Sequence, residues 1–172
     1  LFNLHLSYEI DKRSGAILLR AHSKGIVQFL NKICGIPINR KTDILCVPTI
    51  IKNSDNKIKC DFLRGLADTD FSVVFQNRTG KGHNYPVIKA GFKSKNLVLD
   101  LEKLYSEIGF RYCTCYDQTR PDKRFGPTTI NHVYLYGRNN FRKWIEEIGF
   151  SNYKFIKKLE KWQKDGICPP GY

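Results

Sequence analysis

No stretch of this 172-residue chain approaches the roughly 18 consecutive apolar residues of a membrane-spanning helix, and its polar opening, LFNLHLSYEIDKR, is not a secretion signal. Neither membrane insertion nor export is expected; the sequence reads as soluble and intracellular, hence cytoplasmic. Acids are scarce: 16 Asp and Glu stand against 29 Lys and Arg, a net charge of +13. No basic block dominates, and the cations are interleaved with apolar positions, so the field belongs to a folded surface. Such a field favours polyanions, nucleic acid first and anionic membrane second. The six cysteines, Cys34, Cys46, Cys60, Cys113, Cys115 and Cys168, contain no C-x-x-C pair, and His22, His83 and His132 stand far apart. That spacing argues against zinc and for free, buried thiols. A phosphate loop, a nucleophile motif and a chelating pair are also missing, which disfavours an enzyme acting on anything but nucleic acid.

What is present can build a core: 41% of residues are hydrophobic and 13% aromatic. From Asp61 onward the periodicity changes cleanly. Ile58, Phe62, Leu63, Leu66 and Ala67 recur at helical spacing behind the cap candidates Ser54 and Asp55. FSVVFQNR and YPVIKAGF read as strands joined by the glycine turn TGKGHN. In SKNLVLDLEKLYSEIGF, Leu97, Leu101, Leu104, Tyr105 and Ile108 share one helical face between a serine cap and Gly109. RYCTCYDQ and TINHVYLYG alternate as two further strands across TRPDKRFGP, and NNFRKWIEEIGF and NYKFIKKLEKWQKDG follow as amphipathic helices. The order predicts an α+β fold, with an antiparallel sheet and its helices on one face. Residues 1–52 are shorter: FNLHLSYEI and AILLRAHS form a hairpin, SKGIVQFLNKICGI a helix, and the rest a linker. Three helices close alike, on Gly35-Ile36, Gly109-Phe110 and Gly149-Phe150. The first piece therefore reads as the back half of an internal repeat whose full copy occupies residues 53–172.

CDFLRGLADTDFSV is odd on local grounds. An interior glycine costs a helix about 1 kcal/mol against alanine, and two acids, Asp68 and Asp70, oppose the negative end of the helix dipole at about 0.3–1 kcal/mol each. LRGLADTDF resembles the LAGLIDADG motif of homing endonucleases, especially archaeal and intein-borne members. The helix followed by ββαββα, from Asp61 to Phe150, resembles one repeat of that family. The resemblance implies a saddle-shaped antiparallel sheet in an αββαββα repeat, with a motif helix over 55–70 and a tail helix.

It also implies roles. Gly65, with Thr69 one turn on, is expected to let two motif helices approach closely. Asp70, the final acid, is expected to be catalytic and to hold Mg²⁺ or Mn²⁺ against a double-stranded DNA phosphodiester; Asp68 is expected to be hydrogen-bonded at the helix end. Lys93, at the end of the second strand, matches the family's supporting base. The saddle is expected to enter the major groove. Alternation from Asp70 then turns Ser72, Val74, Gln76 and Arg78 to DNA with Val73 and Phe75 inward. It likewise turns Thr114, Tyr116 and Gln118 to DNA with Cys113 and Cys115 inward, and His132, Tyr134 and Tyr136 to DNA with Val133 and Leu135 inward. Lys81, Lys89, Arg120, Lys123 and Arg124 are expected to meet phosphates.

The sequence departs from the family pattern in three ways. Phe71 stands where the motif usually ends in glycine, which excludes positive φ there, and Arg64 replaces a small residue. Residues 1–58 hold no second G-x-x-D-x-[DE] helix. The missing partner leaves three readings open: an N-terminal repeat absent from this chain, a homodimer in which two motifs meet, or a degenerate relative that binds DNA without cutting. An RNA-binding intron maturase is the alternative function. Protein splicing is not expected, since the chain neither opens on Cys or Ser nor closes on His-Asn, although an excised intein-borne endonuclease domain is compatible.

Overall fold

The computed structural model describes residues 5–38, 43–78, 80–121 and 126–172. Two short strands, β1 (Ser7–Ile10) and β2 (Ile17–Arg20), pair as an antiparallel hairpin. Helix α1 (Lys24–Gln28) is capped by the Ser23 hydroxyl, which accepts from the Ile26 amide, and runs into a π-helical turn over Phe29–Ile33. A single turn, α2 (Thr49–Lys52), precedes the long helix α3 (Asn56–Asp70), whose start is fixed by the Asp55 carboxylate accepting from Ile58 N at 2.9 Å. Then come β3 (Phe71–Gln76), β4 (Tyr85–Phe92), α4 (Lys95–Ile108), β5 (Cys113–Arg120), β6 (Thr128–Tyr136), α5 (Gly137–Glu147) and α6 (Tyr153–Asp165). The architecture is α+β with two antiparallel sheets, the hairpin and a four-stranded sheet in the order β3-β4-β6-β5.

The alternation predicted for β3 sorts its side chains. Phe71, Val73 and Phe75 are buried, and with Ile88, Ala90, Val133 and Leu135 they form the inner face. Helices α3 to α6 close over it with Leu63 and Ala67, Leu97, Val98, Leu101, Leu104, Tyr105 and Ile108, Phe141 and Trp144, and Phe155. The five residues assigned to one face of α4 are all buried, and Gly109 ends that helix at φ 86°. All four helices therefore lie on one side, and the other face of the sheet is open.

Phe71 belongs to this core. Its backbone is extended (φ −91°, ψ 166°), and its ring lies 5.9 Å from Trp144 and 6.3 Å from Phe92. A glycine's freedom is not needed there. Arg64 pairs with Asp61 at 2.6 Å on the solvent side of α3. The segment before α3 is tied to the helical layer: the buried Asp100 carboxylate accepts from Val47 N and meets Lys52 at 2.6 Å, and Ser94 donates to Leu45 O. No helix among the described residues is long and apolar enough to cross a membrane.

Two expectations for the cysteines fail. Only Cys168 is buried, whereas Cys34 and Cys60 are half-buried and Cys46, Cys113 and Cys115 are exposed. On β5 the inward and outward sets are reversed. Cys113 and Cys115 pair with the outward-facing Tyr134 and His132, while Thr114 and Tyr116 point to α4 and donate to Glu102 Oε1 at 2.7 and 2.6 Å. The cause is a bulge between Cys115 and Gln118, where Asp117 takes φ 54°. Asn131, buried inside, holds the bulge by accepting from Asp117 N and donating to Lys93 O at 3.0 Å each. Beyond the extra residue the parity flips back, so Gln118, paired with Ile130, faces outward as expected.

Candidate acid cleft and sheet interface

The two acids ending α3 have separate surroundings. Asp68 turns to the loop before α6: its carboxylate accepts from the amides of Ser151 and Asn152 at 3.0 Å, and Asn152 Nδ2 returns a bond to Asp68 O at 2.8 Å. This anchors the start of α6, whose cap is Asn152. The expectation of a hydrogen-bonded role at the helix end is met. Asp70 is exposed, and its carboxylate accepts from the Thr69 hydroxyl at 3.0 Å. It faces a cleft of about 190 Å³ lined by Ser72, Lys89, Ala90, Gly91, His132 and Tyr134.

The register explains this convergence. Ser72 pairs with Lys89, Lys89 with Tyr134, and Gly91 with His132, so one transverse row crosses three strands at the end of α3. Gly91 is required in that row: a Cβ there would lie 2.8 Å from the His132 ring and 3.0 Å from Ile130 Cγ2. Without it the imidazole lies across β4 and reaches the cleft. Five residues named from the sequence, Asp70, Ser72, Lys89, His132 and Tyr134, thus meet in one place. Lys93 does not line the cleft; it follows β4, exposed, and Lys89 is the cation that shares the space with Asp70.

The open face continues toward the far end of the strands. Val74, Gln76 and Tyr85 share it, as does Val87, which is buried between Val74 and Tyr136 yet lies outside the core. Tyr134 and Tyr136 stack at 5.4 Å and 10° between planes, and His132 sits 5.9 Å from Tyr134. The Arg78 guanidinium lies 3.9 Å over Tyr85 and 5.1 Å from Tyr136, and its Nε donates to Gln76 Oε1 at 3.0 Å. This packing raises the Tyr136 phenol above its usual pKa, through desolvation first and the neighbouring Tyr134 second. The Tyr134–Tyr136 stack and the Arg78 contacts take up part of the ring faces, so the surface presents ring edges and hydroxyls alongside the remaining faces.

Lys81 is exposed in the turn between β3 and β4. Arg120 ends β5; Lys123 and Arg124 lie outside the described residues. Thr114 and Tyr116, turned inward, leave the proposed interface. Burial raises the Tyr116 phenol to about 12, with its hydrogen bond to Glu102 adding to the effect.

Comparison with family models and with curated proteins returns no match. The site therefore rests on its geometry.

On α3, Gly65 and Thr69 are exposed on the side away from the core, and a Cβ at Gly65 would meet no atom within 4 Å. Ile58, 45% exposed, and the half-buried Phe62 continue the stripe at spacings of four, three and four residues. Thr69 donates to Leu66 O at 3.1 Å and to Gly65 O at 3.3 Å, which folds its side chain back along the helix. Strand alternation pointed to Ser72, Gln76 and Tyr134. It carried no sign of Cys113 and Cys115 on the open face, because nothing local marks the bulge.

Among the described residues no three His, Cys, Asp or Glu side chains converge on an ion position. Mg²⁺ is commonly held by one or two carboxylates together with substrate phosphates. Asp70 supplies one such carboxylate to the cleft.

Proposed function

We propose that this chain is a DNA-binding homing endonuclease of the LAGLIDADG type, cleaving a long double-stranded target by metal-dependent phosphodiester hydrolysis as half of a paired site. The observation that carries the reading is the division of labour between the two acids: Asp68 is consumed by the fold, and Asp70 faces an open cleft on the sheet beside Lys89. Support comes also from the α3-β3-β4-α4-β5-β6-α5 order and from the bare glycine stripe of α3, which suits a second motif helix. That helix comes from another copy of the chain or from an N-terminal repeat outside it.

In this reading Asp70, with its counterpart across the helix pair, would hold Mg²⁺ or Mn²⁺, and the ion supplies Lewis-acid stabilisation of the phosphoryl oxygens. The chain's own residues position the substrate. Lys89 places a positive charge on the cleft floor beside Ser72 and takes the supporting role expected of Lys93. The His132–Tyr134–Tyr136 row, fixed by stacking, presents hydroxyls and ring edges to a groove, while Arg78 and Gln76 extend the polar contacts. Unpaired bases are recognised on free aromatic faces, and here the Tyr134–Tyr136 stack and the Arg78 contact with Tyr85 take up part of that area. That favours duplex DNA over single-stranded RNA.

The test is gel filtration combined with cleavage of a library of long duplexes in Mg²⁺, comparing the chain with Asp70→Asn. The variant should retain duplex binding and lose cutting. Equal cutting by both would refute the assignment, and binding of structured RNA with no affinity for duplex would assign the maturase role instead.

A further inference from the structure

A second, basic concavity lies away from Asp70. A cleft of about 570 Å³ opens where β6 passes into α5, lined by Tyr85, Arg111, Tyr136, Arg138, Asn140 and Lys143 among others, with no carboxylate in its wall. Arg111 and Arg138 are exposed and have no ion-pair partner among the described residues, while Lys143 meets Glu147 at its rim. The floor is rigid. Asn140, nine-tenths buried, accepts from Arg111 N at 3.1 Å and donates to Arg111 O at 2.6 Å and Tyr136 O at 3.0 Å, latching the approach to β5 onto the end of β6. Gly137, at φ 90°, turns the chain where a Cβ would stand 3.1 Å from the Tyr85 hydroxyl. Tyr85 and Tyr136 also carry the Arg78 guanidinium, so the cleft continues the open face.

We propose that this cleft seats a backbone phosphate of the bound duplex, with Arg111 and Arg138 as its ligands. The inference rests on the duplex-binding reading and extends it to residues that strand alternation does not reach. Unpaired guanidiniums in a concave wall without carboxylates are arranged for a phosphate oxygen. Tyr136 in its wall and His132 beside Asp70 are four residues apart on β6, so the cleft begins about 14 Å along the strands from Asp70 at roughly 3.4 Å per residue. A second fixed contact at that distance sets the tilt of the duplex over the acid. It positions DNA without reading its sequence.

The experiment measures binding of two unrelated 30-base-pair duplexes against salt concentration, for the wild type, Arg111→Gln/Arg138→Gln and a charge-matched control on the helical side, Lys103→Gln/Lys164→Gln. Each phosphate contact contributes about 0.9 to the slope of log K against log salt. The arginine variant should therefore lose about 0.9 from the slope, weaken equally on both duplexes, and recover the slope as Arg111→Lys/Arg138→Lys. The helical-side control should hold the wild-type slope. A slope unchanged in Arg111→Gln/Arg138→Gln, with duplex binding retained, overturns the cleft alone; a wild type that binds neither duplex overturns both this inference and the reading beneath it.

Discussion

Gly65→Ala separates the two uses of α3 because it acts in opposite directions on them. In one chain the new methyl meets nothing within 4 Å, and alanine replaces the residue with the second-worst helix propensity, so the isolated protein should gain about 0.8–1.0 kcal/mol. For a domain of this size that raises Tm by about 3 °C. In a pair of chains joined through this stripe, one methyl per helix enters a contact that glycine keeps open. Overpacking of that kind costs about 1–3 kcal/mol, a 5- to 150-fold loss in association at about 1.4 kcal/mol per tenfold. Thermal unfolding of dilute protein and sedimentation velocity across a concentration series read the two effects separately. A fall in the dilute Tm would show that Gly65 is already packed within the chain and would refute the open-stripe argument. A raised Tm with unchanged association would place any second copy elsewhere, and a wild type monomeric at every concentration would leave only a covalently linked partner repeat.

Three other outcomes are expected. Asp68→Ala removes the acceptor for the Ser151 and Asn152 amides and should cost about 1–3 kcal/mol in denaturant unfolding, whereas Asp70→Asn, bonded through its carboxylate to a neighbouring hydroxyl, relieves the dipole end and should raise stability by about 0.3–1 kcal/mol. For Tyr116, the folded phenol keeps its proton to about 12 while the unfolded one releases it near 10. The unfolded state therefore binds fewer protons between those values and stability falls as pH rises through that window; Tyr116→Phe should flatten the alkaline decline measured by pH-dependent unfolding. Timed alkylation with iodoacetamide, read by mass spectrometry, should label the exposed Cys113 and Cys115 early and the buried Cys168 late, since desolvation also raises the Cys168 thiol pKa. Saturating duplex should protect Cys113 and Cys115 specifically.

Those two cysteines show where sequence reading stops. Helices α3, α4 and α6 were legible because each has an apolar stripe at helical spacing and a start signal of its own, Asp55, Ser94 and Asn152, with Gly109 and Gly166 at two of the ends; α5, whose start has no side-chain cap, was legible from its spacing alone. Strand β3 was legible because its pairing is regular from Phe71 to Gln76. Alternation on β5 was correct at Gln118 and inverted at Thr114 and Tyr116, because the period of two holds only where no residue is inserted. The insertion at Asp117 is specified by Asn131 on the neighbouring strand, a tertiary cause that RYCTCYDQ does not contain. The choice of Lys89 over Lys93 in the acid cleft likewise follows from cross-strand register, and Arg111 and Arg138 are brought together by Asn140 rather than by any spacing along the chain.

The two unfavourable acids at the end of α3 can now be judged separately. Asp68 opposes the helix dipole, but three amide contacts at 3.0 Å and the bond from Asn152 to its carbonyl offset that cost within the chain. For Asp70 the offset is a single hydroxyl bond from Thr69, itself shared with two helix carbonyls. A charge left under-compensated by its own fold, at a dipole end that disfavours it and beside Lys89 and His132 in an open cleft, is a local inconsistency of the sort that marks function rather than folding. A cation shared with a phosphate would supply the compensation the chain withholds from Asp70. The bare glycine one turn earlier is its counterpart in packing: it too costs the lone chain, and in the proposed reading a second helix would offset that cost.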